Sequence, residues 1–296
     1  MSTGQMLTSY FRFDTIEAQM TEAPQGRALL FSDPGFQSLL GQRLDDMLSG
    51  GKILSLDVFD TFVLRDNSSE LTRFYEIGGL MAKIVKERAD KEVSQVDAFT
   101  ARYLGTKATY RASRTVRGCR EGSLEELHRT ASRLLVGDTS LAESFIKAEL
   151  DYEATRLEQN PFLVQYLRDY RAAGGRAVLV SDMYMHATQV GALLSRLGIA
   201  PEDYDLLMSS GDTKVSKASG GIFSLVESQM GEGAERFVHV GDSFRGDLAQ
   251  PVRRGWQALH LPLSDFDIVA RRKDHIATFH KIQQAHGLTA DIAMPH

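Results

Sequence analysis

Five short apolar runs, each closing on a polar residue, constrain this 296-residue chain more than any other feature. From Pro161 onward they alternate with helical patterns. PFLVQYLRDYRAAGG reads as a helix with a glycine stop, RAVLVSD as a strand, HATQVGALLSRLG as a helix and YDLLMSS as a strand. GIFSLVESQM follows as a helix, FVHVGD as a strand, GDLAQPVRRG as a short helix and WQALHL as a strand. Strands that are apolar on successive residues are buried on both faces, and regular strand-helix alternation places them parallel. The remaining run, Ile53-Leu54-Ser55-Leu56, follows the Gly50-Gly51 pair and ends at Asp57, far ahead of the others in sequence.

What separates them is helical in rhythm. SELTRFYEIGGLMAKIVKER, DAFTARYLGTKATYRASR, SLEELHRTASRLL and TSLAESFIKAELDYEATRLEQ repeat apolar residues at three- and four-residue spacing, which predicts four helices. The expectation is therefore an α/β chain with a doubly wound parallel sheet and an inserted helical cap. Residues 51–65 and 161–262 form the core, and 66–160 the cap. Residues 1–50 are an N-terminal extension broken by Pro24, Gly26, Pro34 and Gly35, with a helix from Phe36 to Leu48. Residues 263–296 form a helical tail, from the spacing of Phe266, Ile268, Ala270, Ile276 and Phe279.

Composition excludes several classes. A formal charge of -5 gives no overall positive field for nucleic acid. The single Cys119 excludes an internal disulfide framework and a Cys-rich zinc site. No apolar run approaches the roughly 20 residues of a membrane helix, and the first residues lack a basic start followed by an apolar stretch. A cytoplasmic protein is expected, with a small-molecule partner, no nucleic acid or membrane partner, and the oligomeric state open.

Ligands of open α/β sheets sit at the carboxyl ends of the strands. There the sequence places Asp57-Val58-Phe59-Asp60-Thr61, Ser181-Asp182, Ser209-Ser210 and Gly241-Asp242-Ser243, with Lys217 approaching a helix. Carboxylates, hydroxyls and a lysine on one edge suit phosphoryl transfer through an aspartyl intermediate. The carboxylate attacks, a divalent cation offsets its charge, and the lysine screens phosphate from carboxylate.

ILSLDVFDTFVLR, VLVSD, KASGGIF and FVHVGDSFRGD, in that order, resemble the four signatures of the haloacid-dehalogenase superfamily over roughly residues 52–262. The resemblance implies Asp57 as nucleophile and Mg2+ ligand, with the Phe59 backbone carbonyl and Asp242 completing the protein's metal ligands. It implies phosphate contacts from Thr61, Ser181 and Lys217, and Asp247 orienting the metal site. Lys217 is preferred to Lys214 for its spacing to Gly220, Ile222 and Phe223. Arg65, just past the nucleophile loop, is the expected substrate contact.

One position departs from the pattern. Most phosphatases of the superfamily carry an acid two residues after the nucleophile; here that residue is Phe59, and Asp60 stands where the family usually has Gly. The resemblance therefore implies a Mg2+-dependent phosphatase of a small metabolite or sugar, with two alternatives. One is a phosphonate- or halide-cleaving enzyme, for which Lys83, Lys86 or Lys107 would be the cap lysine. The other is a catalytically weak ligand- or partner-binding domain. The DVFDT form also resembles hydrolases predicted to accompany surface-polysaccharide glycosyltransferases. Arg111, Arg114, Arg117 and Arg120, spaced by three, read as a drifting helical stripe. Histidines 275, 280, 286 and 296 are assigned no role.

Overall fold

A computed structural model describes residues 15–294. His296 and the opening stretch lie outside the described residues. The elements in chain order are α1 (Thr15–Glu22), α2 (Arg27–Leu30), α3 (Pro34–Leu48), β1 (Ile53–Asp57), β2 (Val63–Arg65), α4 (Glu70–Ala89), α5 (Gln95–Ala112), α6 (Leu124–Val136) and α7 (Ala142–Ala154). They continue with β3 (Leu157–Gln159), α8 (Pro161–Ala172), β4 (Arg176–Ser181), α9 (Ala187–Arg196), β5 (Leu206–Ser209), α10 (Ser210–Thr213) and α11 (Gly221–Met230). The last are β6 (Phe237–Gly241), a π-helical turn (Phe244–Ala249), α12 (Gln250–Arg254), β7 (Gln257–His260) and α13 (Asp265–His286). No described helix is long and apolar enough to cross a membrane.

The fold class is a doubly wound α/β sheet. Its five strands run parallel in the order β5-β4-β1-β6-β7, so β1 is central and the chain winds outward on both sides. Strand periodicity sorts the apolar side chains into two layers. Leu54, Leu56, Ala177, Leu179, Val238 and Val240 join one apolar cluster, while Ile53, Val178, Val180, Phe237 and Trp256 join a second. Ser55 and His239, polar residues inside apolar runs, keep the phase of the second set. Both are fully buried and hydrogen-bond each other at 2.7 Å.

Between β1 and β4 stand α4 to α7, which pack around their own cluster of Leu71, Phe74, Ile77, Phe99 and Phe145. Gly78 lets α4 and α5 cross closely: a Cβ there would lie 2.7 Å from the Phe99 backbone nitrogen. A polar knot also fixes this bundle. Arg102 donates to Glu149 at 2.5 and 2.8 Å, and His128 meets the same carboxylate at 2.9 Å, all three side chains fully buried. The bundle is entered through β2 and left through β3, which pair antiparallel from Val63↔Gln159 to Arg65↔Leu157.

One sequence expectation is corrected. α5 ends at Ala112, so the arginine stripe is not helical. Arg117 lies in a tight turn closed by the Val116–Cys119 bridge, with Arg117 and Gly118 at φ 48° and 83°, and Arg114 and Arg120 flank that turn outside any helix. In the segment before β1 the expected helix is α3, and α1 and α2 precede it. Ile16, Met20, Phe31, Phe36, Leu40 and Leu44 are buried in the same cluster as Leu54 and Leu56. α13, capped by Ser264 accepting from the Asp267 amide, runs back across the molecule to α4, where Asp274 accepts from the Ser69 amide at 2.7 Å.

Candidate active site

β1 ends on Asp57, and the chain turns at once: the Phe62 and Val63 amides donate to the carbonyls of Asp57 and Val58. This loop brings Thr61 back over the strand end, where its hydroxyl donates 3.0 Å to Asp57 Oδ2. Lys217 Nζ donates to Asp57 Oδ1 and lies 2.7 Å from Asp247 Oδ1. Its backbone is pinned by Asp182, whose carboxylate accepts from the Lys217 amide at 2.8 Å and the Ala218 amide at 3.3 Å. Lys214 instead lies 3.8 Å from Glu126 in the helical bundle. Ser181, the last residue of β4, lines the same cavity; its hydroxyl is buried and has no hydrogen-bond partner.

Asp242 and Asp247 follow β6. The π-helical turn swings Asp247 back over the strand, so closely that a Cβ on residue 241 would fall 2.4 Å from Asp247 Cγ. Only glycine fits there. One carboxylate oxygen each from Asp57, Asp242 and Asp247 lies within 4.8 Å of the others. Asp247 is already occupied: Oδ1 takes Lys217 and His239 Nε2 at 2.9 Å, and Oδ2 takes the Ser243 amide at 2.9 Å. The Asp242 carboxylate has no such protein partner among the described hydrogen bonds and ion pairs.

The electrostatics follow. Burial pushes the Asp57 carboxyl well above the usual carboxylate range; Lys217 opposes this, and Asp247 and Asp242 add to it. Asp242 is pushed up to about 6 by burial and by the Asp60 and Asp247 carboxylates. Burial would also raise Asp247, but Lys217 and His239 outweigh it and hold that group below its ordinary range. Lys217 stays protonated against its burial because Asp247 and Asp57 face it. One lysine among three carboxylates leaves room for a cation. An all-oxygen donor set with a free carboxylate at Asp242 suits Mg2+.

Asp60 has a different setting. It sits at φ 65°, the left-handed conformation that explains a usual glycine at this position. Arg27 grips it from α2, donating to its side chain and, at 2.5 Å, to its carbonyl. Arg271 donates from α13 at 2.8 and 3.2 Å, and Arg65 from β2 at 3.3 Å. Despite burial, Arg27, Arg271 and Arg65 hold this carboxyl well below the usual range. It cannot serve as a proton donor near neutral pH.

Arg65 also stacks 4.3 Å above the Phe59 ring and lies 3.9 Å from Glu153. Arg73, from α4, donates to both Glu153 oxygens at 3.1 Å. The cavity that Asp57, Phe59, Asp60, Arg65 and Lys217 line measures about 530 Å³ and is walled on the helical side by Glu70, Arg73, Phe74, Thr106 and Tyr110. Lys83, Lys86 and Lys107 do not line it.

The structure thus brings Asp57, Phe59, Arg65, Ser181, Lys217, Asp242 and Asp247 to one cavity, with Thr61 buried behind Asp57. Arg27, Arg73, His239 and Arg271 were not singled out from sequence, and Asp182 was placed at a strand end without a role. His239 had a readable signal, as a polar residue inside an apolar strand, and Asp182 adjoins Ser181. Arg27 and Arg271 had none.

No family model matches this sequence, and no curated protein matches it. Among solved structures it is similar to 2-haloacid dehalogenase from Pseudomonas syringae pv. Tomato, at 14% identity over 71% of this chain and 85% of that one, with a TM-score of 0.49. It is also similar to a HAD phosphatase from Thermococcus onnurineus, at 17% identity over 71% and 85%, with a TM-score of 0.46. A Bacillus subtilis HAD-hydrolase bound to magnesium gives 17% identity over 70% and 86%, with a TM-score of 0.43. Identity this low leaves the chemistry to be read from the residues of the site.

Proposed function

We propose that this chain is a haloacid-dehalogenase-type hydrolase that releases phosphate from a phosphorylated small molecule through a covalent aspartyl-phosphate at Asp57. One observation carries the reading: Lys217 bridges Asp57 and Asp247 beside an unpartnered Ser181 hydroxyl and a free Asp242 carboxylate. That set offers a nucleophile, donors for phosphoryl oxygens and an incomplete ligand set for a cation. Mg2+, held by Asp57 and Asp242, would offset the charge between carboxylate and phosphate.

In the first step an Asp57 oxygen attacks phosphorus and the bond to the leaving oxygen breaks. Lys217 and Ser181 hold the phosphoryl oxygens, and Thr61 keeps the second Asp57 oxygen oriented. In the second step water attacks phosphorus, the bond to Asp57 breaks, and the carboxylate returns with inorganic phosphate released. Phe59 exchanges no proton and Asp60 is locked by arginines, so the leaving oxygen is protonated from water. Esters with acidic leaving groups, such as aryl phosphates, are favoured accordingly.

The test is phosphate release from an aryl phosphate across a Mg2+ titration. Wild type should depend on the metal. Asp57→Asn should lose at least about 10⁴-fold in turnover, and Asp242→Ala should recover part of its activity at high Mg2+. Full activity in Asp57→Asn, or wild-type activity untouched by a chelator, overturns the aspartyl-phosphate reading. Silence on every ester would favour a ligand-binding domain instead.

A further inference from the structure

The cavity reaches well beyond the reacting carboxylate. Its volume of about 530 Å³ falls within the range of small-molecule pockets and leaves space for a sizeable leaving group. Its charges are also segregated. Asp57, Asp182, Asp242 and Asp247 gather at the strand ends around Lys217, whereas Arg65 and Arg73 reach the cavity from β2 and α4.

Those two arginines share their carboxylates with other guanidiniums. Glu153 is fully buried and shared by both, at 3.9 Å from Arg65 Nε and 3.1 Å from Arg73 Nη1. Asp60, the other carboxylate near Arg65, also serves Arg27 and Arg271. Asp267, 3.7 Å from Arg27, is the third acid of the group. Four guanidiniums (27, 65, 73, 271) therefore share three carboxylates at ion-pair distance (60, 153, 267), and Glu70 and Asp242 act on the group only from further off. Arg27, Arg73 and Arg271 are at most 9% exposed. The Nε atoms of Arg65 and Arg73 are buried without a hydrogen-bond partner. Glu70, which lines the cavity as well, is solvent-exposed and makes no ion pair with either arginine. Guanidiniums that share their carboxylates retain donors for a further oxyanion, and Arg65 and Arg73 both line the open cavity from which one would reach them. Arginine suits that task because its planar fork matches carboxylate and phosphate oxygens.

We propose that Arg65 and Arg73 form a second anion subsite, so that the substrate is a phosphate ester whose leaving group carries a further oxyanion, a carboxylate or a second phosphate. This rests on Asp57 being the phosphoryl end of the same cavity. The Phe59 ring beneath Arg65 gives it a positioning role: it holds the guanidinium flat at the boundary between the two subsites.

The test separates this subsite from turnover by measuring binding. Asp57→Asn protein with Mg2+ is titrated by calorimetry with three matched pairs. These are 3-phosphoglycerate against glycerol 3-phosphate, 6-phosphogluconate against sorbitol 6-phosphate, and fructose 1,6-bisphosphate against fructose 6-phosphate. At least one doubly anionic member should bind about tenfold tighter than its partner, and the winning pair tells carboxylate from phosphate and short spacer from long. Adding Arg65→Gln removes one of the two cavity-lining guanidiniums while Glu153 keeps Arg73 and Asp60 keeps two arginines. It should bring the ratio to within about twofold. Arg73→Gln, which leaves Glu153 to Arg65 alone, should act in the same direction. Equal affinities in all three pairs, or a preference that survives both substitutions, overturn the subsite. A preference found while wild type hydrolyses no ester keeps the subsite and overturns the hydrolase reading instead.

Discussion

Asp57 and Asp60 lie three residues apart in one loop, both at most 8% exposed, and their surroundings are opposite. Asp57 shares a single lysine with Asp247 and has Asp242 beside it. Asp60 is met by three arginines. The first carboxylate is short of positive charge and is completed only from outside; the second is closed by the protein. Burial of an acid near a strand end therefore says little about its role. The balance of cations around it decides whether it is free to react or fixed in place.

The sharpest way to break this contrast is to make the same substitution at both positions. In metal-free protein, Asp60→Asn takes the shared carboxylate from three buried arginines and should cost about 3–5 kcal/mol of unfolding free energy. Asp57→Asn removes one of three crowded carboxylates and should leave stability equal or higher. Urea denaturation with a chelator present reads both. Equal losses would mean that the two settings do not differ in kind.

A smaller effect sharpens the catalytic half. Phe59→Asp places a carboxyl where a proton donor is missing, and general acids typically contribute about 10²–10⁴-fold. Arg65 stacks on that side chain and would pair with the new acid, holding it ionised near neutral pH, so the gain expected is only about tenfold. It should be larger for alkyl than for aryl phosphates, because alkyl leaving groups need the proton more. A gain equal for both classes would show that leaving-group protonation does not limit wild type.

The smallest effect is in pH. Asp57 and Asp242 have raised pKa values, Asp242 at about 6, so the folded metal-free protein binds protons that the unfolded chain has released. Stability should therefore rise by on the order of 1 kcal/mol as pH falls from 8 towards 5.5. Asp60 and Glu149 are held low, by arginines in the first case and by Arg102 and His128 in the second. Their contribution is present above the ordinary carboxylate range, about pH 4, and is lost as pH falls through it towards their folded values. A stability maximum between these limits is expected, and saturating Mg2+ should flatten its neutral side. A monotonic profile without metal would contradict the assignment of opposite shifts.

Much of this was legible in the sequence because it depended on local pattern. Continuous apolar runs marked the buried parallel strands, and three- and four-residue spacing marked the helices between β2 and β3. Polar residues closing each run identified Asp57, Ser181 and Asp242. What was not legible was either too short or too distant. β2 and β3 have three residues each, too few for a period to show. The arginines at 111, 114, 117 and 120 had helical spacing, but left-handed backbone at Arg117 and Gly118 breaks it. Arg271 meets Asp60 across 211 residues, and no local signal marks such a partner. Phe59 read as a missing acid; the structure adds that it is the platform under Arg65.

The distance between Asp60 and Arg271 also orders events in time. A growing polypeptide leaves the ribosome from its amino end, so Arg27, Asp57 and Asp60 emerge well before the helix that carries Arg271. The left-handed turn at Asp60 gains its last clamp only when nearly the whole chain is available. Contacts of such long sequence separation form late in folding. A nascent chain thus has every residue of the Asp57–Asp60 loop early, but the contact from α13 that fixes Asp60 comes only at the end, together with the cavity around the loop.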